Sequence, residues 1–174
     1  MFGGDCPPYD ESMEACPETP YGISKRTIEM LLAFYEKQYD IVSTVLRYAN
    51  VYGPRQNAQG EAGVVSIFLD KIHRNEVPTI YGDGNQTRDF IHVVDVVSAN
   101  IHALDNQLTG IYHVGTGIET SVNQLWAVIA RLTGTSLIPK YIPALGEIQR
   151  TALNPAKLQK TGWKIEKKIA ELEI

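Results

Sequence analysis

The chain has 174 residues, enough for one domain with a real core or two small lobes, and its 44% hydrophobic and 21% charged residues are those of an ordinary globular protein. A formal net charge of −4 provides no basic surface for nucleic acid, and no apolar run is long enough to span a bilayer. Cys6 and Cys16 fit neither a zinc spacing nor a disulfide framework, and no signal-peptide pattern opens the chain, so a reduced, cytoplasmic setting is expected. Residues 1–20 read as loop, punctuated by Gly3-Gly4, Pro7-Pro8, Pro17 and Pro20. Thr19 suits an N-cap and Pro20 the first helical position, and Ile28, Leu31, Leu32 and Tyr35 recur at helical spacing up to about Asp40. The β-branched run 41–47 predicts a buried strand, and the polar, glycine-bearing stretch 50–63 predicts a loop.

Val64, Val65, Phe68, Leu69 and Ile72 predict the next helix, followed by a short strand at Thr79-Ile80-Tyr81 and a turn at Gly82-Asp83-Gly84. Thr87 to His92 reads as extended, Asp95 to Leu104 as helix, and Ile111 to Val114 as a strand ending at Gly115-Thr116-Gly117. Val122, Leu125, Trp126, Ile129 and Leu132 form an amphipathic stripe, residues 137–142 a strand, and the tail from Leu158 short helices broken at Gly162-Trp163. Strands alternate with helices, which predicts an α/β fold with mostly parallel pairing. The long connections 50–63 and 143–157 are candidates for binding loops.

The chemistry is concentrated in Tyr21 and Lys25. Four residues is about one helical turn, so both side chains project from one face. An ammonium beside a phenol favours the phenolate, a base able to take a proton from a sugar hydroxyl. His73, His92, His102 and His113 show no metal spacing and no adjacent nucleophile, so packing or surface roles are expected and no metal site is predicted. Trp126 reads as core and Trp163 as a packing anchor.

A Tyr-x-x-x-Lys run alone arises often by chance, but here it stands in a series of blocks. Pro20-Tyr21-Gly22-Ile23-Ser24-Lys25 is followed by Leu46-Arg47-Tyr48-Ala49-Asn50-Val51-Tyr52-Gly53-Pro54-Arg55-Gln56. Then come Gly82-Asp83-Gly84, Gln86-Thr87-Arg88-Asp89-Phe90-Ile91-His92-Val93-Val94-Asp95-Val96, Tyr112-His113-Val114-Gly115-Thr116-Gly117 and Gly162-Trp163. In this order they resemble the extended short-chain dehydrogenases/reductases, and within them the nucleotide-sugar epimerases of UDP-glucose 4-epimerase type. The resemblance implies a partial Rossmann-type parallel sheet with a small α/β substrate lobe. Elements of the NAD fold would occupy 1–55 and 86–116, and the nucleotide-sugar lobe 56–85 and 117–174.

The same resemblance implies NAD as cofactor and a UDP-sugar or related nucleotide sugar as substrate. It makes Tyr21 the base at the sugar 4-hydroxyl and Lys25 the partner of Tyr21 and of the nicotinamide ribose, with Tyr48 passing the nicotinamide. It places Asn50 at the diphosphate, Val64 at a helix start closing on the nucleotide, Thr79 and Tyr81 along the uracil, Arg88 on the pyrophosphate and Glu147 at the ribose hydroxyls. Such a site requires neither metal nor nucleic acid.

Departures from the pattern are as informative. No Gly-x-x-Gly-x-x-Gly run exists in the chain, so the pyrophosphate cradle of NAD is missing from it. Met1-Phe2-Gly3 stands where the family has the tripeptide after its catalytic Ser or Thr. Ala144 stands where an Arg often precedes the ribose-binding acid, and Arg150 is the cation available to replace it. The chain therefore reads as the C-terminal part of such an enzyme, expected to be silent alone and to associate into homo-oligomers through uncovered apolar faces. Two other readings are a fragment of a nucleotide-sugar 4,6-dehydratase, which shares the Tyr-x-x-x-Lys pair, and a non-catalytic module that binds nucleotide sugar.

Overall fold

The structure is a computed structural model, and it describes residues 6–59, 63–144, 146 and 148–171. The first helix, α1, runs Pro20–Tyr39 as the caps predict. The Thr19 side chain accepts from the Gly22 amide at 3.1 Å, and Asp40 closes the helix in the left-handed region at φ 55°. Strand β1 is Thr44–Tyr48, later and shorter than the 41–47 expected from composition. Ser43 stands outside the ladder because its amide and hydroxyl both donate to the Glu36 carboxylate, at 3.0 and 2.6 Å.

The stretch expected to be loop from residue 50 begins instead with strand β2, Asn50–Tyr52. Its polar composition concealed a partner far along the chain, β5 at Phe90–His92, with which it pairs in parallel. Helix α2 is Val64–His73, β3 is Thr79–Tyr81 and β4 is Thr87–Arg88. The extended run 87–92 is therefore two strands. β4 pairs antiparallel with β7, Thr120–Ser121, while β5 joins β2, and Asp89 is the residue at which the chain changes ladder. Helix α3, Val93–Asp105, starts before Asp95 because His92 caps it, its Nδ1 accepting from the Val94 amide at 3.2 Å.

Strand β6, Gly110–Val114, pairs in parallel with β1. Helix α4 is Val122–Thr133, opened by a reciprocal cap between Ser121 and Gln124. Strand β8, Lys140–Ile142, pairs in parallel with β3 and is half the length predicted. The tail holds a one-turn helix, α5, at Ala156–Gln159 and a 3-10 turn at Ile169–Glu171. Among the described residues three of the four strand ladders are parallel, as alternation of strands and helices implies. No helix among the described residues is long and apolar enough to cross a membrane.

Two cores hold these elements. One joins Tyr52, Val65, Phe68, Ile80, Phe90, Leu125 and Ile129, with Trp126 edge-on to Phe68 at 5.3 Å. The other joins Ile91, Val96, Ala99, Tyr112, Val114, Leu158 and Trp163. Phe90 and Ile91 are strand neighbours pointing to opposite faces, so β5 is shared between the two cores. Trp163 is the anchor expected, its indole N–H donating to Ser98 Oγ at 2.9 Å. The buried Asp95 carboxylate accepts from the amides of Glu166 and Lys167 at 2.9 and 3.2 Å and draws the tail onto the start of α3.

Candidate active site

A cleft of about 500 Å³ opens between α1 and the β1–β2 strand run. Tyr21 and Lys25 stand on its α1 wall, one turn apart, with Lys25 Nζ 5.1 Å from the centre of the Tyr21 ring. The Tyr21 side chain is well exposed, so its phenol is free to meet a solute. Gly22 lets the first turn of α1 approach the preceding loop, since a Cβ there would lie 3.1 Å from Pro17 Cβ. Tyr48 and Asn50 line the same cleft from the strands, with Asp89 and residues 151–153 at its end. Four of the residues singled out in the sequence thus share one cavity.

The others lie elsewhere. Val64 opens α2 behind Gly63, and Ser66 Oγ donates to the Gly63 carbonyl at 2.8 Å. Thr79 and Tyr81 are on β3, paired with Lys140 and Ile142. Arg88, on β4, donates from Nη1 to the Thr87 carbonyl at 2.8 Å. None of these four lines the Tyr21 cleft, although Arg88 is two residues before Phe90, the partner of Asn50. Tyr48 turns its hydroxyl outward to Asn100 Oδ1 at 3.0 Å, so it is its ring rather than its hydroxyl that the cleft can use. Glu147 and the Met1-Phe2-Gly3 tripeptide lie outside the described residues. Arg150, the candidate substitute for the family arginine, forks onto Glu119 at 2.9 and 2.6 Å. Any anion it met would share it with that carboxylate.

The wall of the cleft also holds a buried polar network centred on Glu29 and Arg47. Glu29 accepts from Arg47 Nε at 2.7 Å and Nη2 at 2.8 Å, and from Arg26 Nη1 at 2.7 Å. Burial pushes the Glu29 carboxyl up, but the two guanidinium groups outweigh it and hold the acid below its ordinary value. Arg47 Nη1 lies 3.4 Å from His113 Nε2, and His113 Nδ1 lies 3.1 Å from the Tyr9 carbonyl. Burial is the main cause that lowers the His113 pKa, with Glu11 pulling the other way.

Asp89 is the second buried acid. Its carboxylate accepts from the Thr116 amide at 3.0 Å, the Gly117 amide at 3.1 Å and the Leu153 amide at 3.2 Å. Its carbonyl accepts from the Asn50 amide at 2.8 Å. Burial raises its pKa in spite of those donors. Glu29 lies eight residues after Tyr21 on the same helix face, but its partner Arg47, like the amides that surround Asp89, comes from an element distant in the chain, so spacing alone pairs neither acid. Among the described residues no cluster of His, Cys, Asp and Glu could hold a metal.

Residues 1–115 match the NAD dependent epimerase/dehydratase family. A UDP-glucose 4-epimerase of Mycolicibacterium smegmatis is 38% identical over 167 residues, which is 94% of this chain and 53% of that protein. The crystal structure of UDP-glucose 4-epimerase with UDP-glucose from Thermotoga maritima superposes with a TM-score of 0.91 at 40% identity, covering 97% of this chain and 55% of that one. The Thermus thermophilus UDP-glucose 4-epimerase in complex with NAD gives 0.88 at 35% identity, covering 97% of this chain and 57% of its own. The chain thus spans about half the length of the proteins it matches. It belongs to the NAD dependent epimerase/dehydratase family.

Proposed function

We propose that this member of the NAD dependent epimerase/dehydratase family carries the base and the sugar-facing wall of a UDP-glucose 4-epimerase-type site. The observation that carries the reading is the Tyr21–Lys25 pair sharing an open cleft with Asn50. Tyr21 Oη would take the proton of the sugar 4-hydroxyl and return it after the sugar has turned. Lys25 Nζ, 5.1 Å from the centre of the Tyr21 ring, places an ammonium beside the phenol.

The donor set of the cleft fits the ribose and nicotinamide end of a dinucleotide: one ammonium, one phenol and the Tyr48 ring on a largely apolar wall. Bound there, NAD would accept the hydride and give it back. Lys25 would hold the ribose, and Tyr21 would face the carbon being oxidised. The sequence contains no glycine-rich turn to receive the pyrophosphate, so the 174-residue chain alone is expected not to turn over.

Nucleotide contacts fall to the other sites. Asn50 and Arg88 serve the diphosphate, the start of α2 at Val64 an anionic group, Thr79 and Tyr81 the base, and Glu147 the ribose. In this reading 1–55 and 86–116 belong to the NAD-binding fold, and 56–85 and 117–174 to the nucleotide-sugar lobe.

Calorimetry tests it. UDP-glucose titrated into the chain is expected to bind with one saturable site. Arg88→Ala removes a charge-assisted contact worth about 1.5–3 kcal/mol, so affinity should fall roughly 10- to 150-fold. Absence of saturable UDP-glucose binding, or binding indifferent to Arg88→Ala, overturns the reading.

A further inference from the structure

We propose that Glu29 and Arg47 are positioning residues for the Tyr21–Lys25 pair: the buried fork between them sets the rotation of α1 over β1 and so the distance from the base to Asn50. The proposal rests on the reading of Tyr21 as base and deepens it.

Tyr21, Lys25 and Glu29 are spaced four and eight residues apart, so they lie along one face of α1. That face borders the cleft, and Glu29 is the point on it at which the helix is packed against the strands. α1 has twenty residues, yet only Gly22 and Glu29 are buried. Gly22 gives close approach without direction. Apolar contact, which is non-directional, is sparse, with Ile23, Ile28, Met30, Leu31, Phe34 and Tyr35 all exposed. The directional constraints that remain are the two Ser43 bonds to Glu36 near the C-terminal end of the helix and, beside the base, the fork.

Arg47 presents Nε and Nη2 to the two oxygens of Glu29 at 2.7 and 2.8 Å, and both side chains are nearly out of solvent. Two parallel N–H···O bonds define a plane as well as a distance, which a single ammonium cannot do. The helix is therefore held against rolling as well as against lifting.

The other end of the fork is equally fixed. Arg47 pairs in register with His113, and its Nη1 meets His113 Nε2 at 3.4 Å. His113 is in turn tied to the Tyr9 carbonyl, while its amide donates to Glu11 Oε1 at 2.7 Å. α1 is thus referenced to β1, β6 and the leading loop. Asn50 is three residues beyond Arg47 on the same strand run, so one rigid path joins the base to the residue assigned to the diphosphate.

A buried ion pair is weak support for a stabilising role, since apolar residues of similar volume often do as well. That separates positioning from stability. In a Cys6→Ser/Cys16→Ser background, nitroxide labels on Ala33→Cys in α1 and Asp105→Cys in α3 report the helix position by pulsed electron spin resonance, with no ligand present. The parent should give one narrow distance distribution. Glu29→Leu/Arg47→Met should keep the melting temperature within a few degrees yet broaden the distribution roughly twofold. Arg47→Lys, which keeps the charge but loses the fork, should broaden it as well. A folded variant of either kind with the parent's narrow, unshifted distribution overturns the proposal. UDP-glucose binding by the parent is measured separately, so failure of the functional reading leaves its own mark.

Discussion

At the scale of the residue, the most telling group is one with no part in the chemistry. His113 is fully buried, and burial lowers its pKa below the ordinary 6.5. Glu11 and Asp10 from the leading loop raise it, and Arg47 from β1 lowers it. The native state therefore resists a proton that the unfolded chain accepts. Between the depressed native value and 6.5 the unfolded state binds more protons, so stability falls as pH drops through that window and is fully present above it. The melting temperature should decline from pH 7 toward pH 5.5, and His113→Asn, which can still donate to the Tyr9 carbonyl, should flatten that limb. Each kcal/mol lost reads as about 2–4 °C in a chain of this size. An unchanged slope in His113→Asn would show that the titration belongs to other groups. Glu29 acts in a different window: its carboxyl is held below 4.5, so the stability it supplies is present above that value and lost on further acidification. Tyr21 and Lys25 could be read from spacing alone, because a helix places i and i+4 together. Glu29, Arg47 and Asp89 could not, because each depends on an approach between elements that are distant in sequence.

At the scale of the element, local signals carried the helices and failed at the short strands. Thr19 and Pro20 mark the start of α1, and the apolar stripe marks α4, both through neighbours within a few residues. β2 and β4 are short and polar, and they exist because Phe90–His92 and Thr120–Ser121 lie beside them. The turn between β3 and β4 shows how tightly such pieces are fitted. Gly84 sits at φ +76°, and a Cβ there would lie 2.1 Å from Asn123 Oδ1. Asn123 holds the turn by donating Nδ2 to the Asp83 carbonyl at 2.9 Å and its amide to the Gly84 carbonyl at 3.0 Å. Gly134, after α4, has a similar φ of +67° but open space around it. Gly134→Ala should cost only the backbone penalty of about 1–2 kcal/mol. Gly84→Ala should cost that and the displacement of Asn123 together, with a visibly larger fall in melting temperature. Equal falls would mean that Asn123 swings away freely and does not hold α4 to the turn.

At the scale of the whole molecule, the apolar surface is distributed unevenly. The two cores are closed, while α1 shows water Ile23, Ile28, Met30, Leu31, Phe34, Tyr35 and Tyr39, and Ile41 and Val42 follow directly. Phe34 meets Tyr35 edge-on and Tyr35 stacks on Tyr39, with ring centres 5.6 Å apart in each pair, so this is one aromatic surface rather than scattered exposure. Contiguous apolar patches of this kind drive association in soluble proteins. α1 also carries the proposed base, so whatever covers one side of it bears on the cleft on the other. A second copy of the chain is the occupant always present in a purified sample, and closed two-fold pairing is the commonest arrangement of like chains. Sedimentation should therefore show species heavier than the 19.4 kDa monomer, growing with concentration. Leu31→Glu with Phe34→Glu should return the chain to monomer while leaving the melting temperature of a dilute sample nearly unchanged, since neither side chain contributes to a core. A single 19.4 kDa species at every concentration would exclude self-association and leave the face to a different chain. If the double variant still associates, the Leu31 and Phe34 surface is not the contact, and the exposed row Val94, Val97, Ile101 and Leu104 of α3 is the next to be substituted, because it too gathers several apolar side chains on one helix.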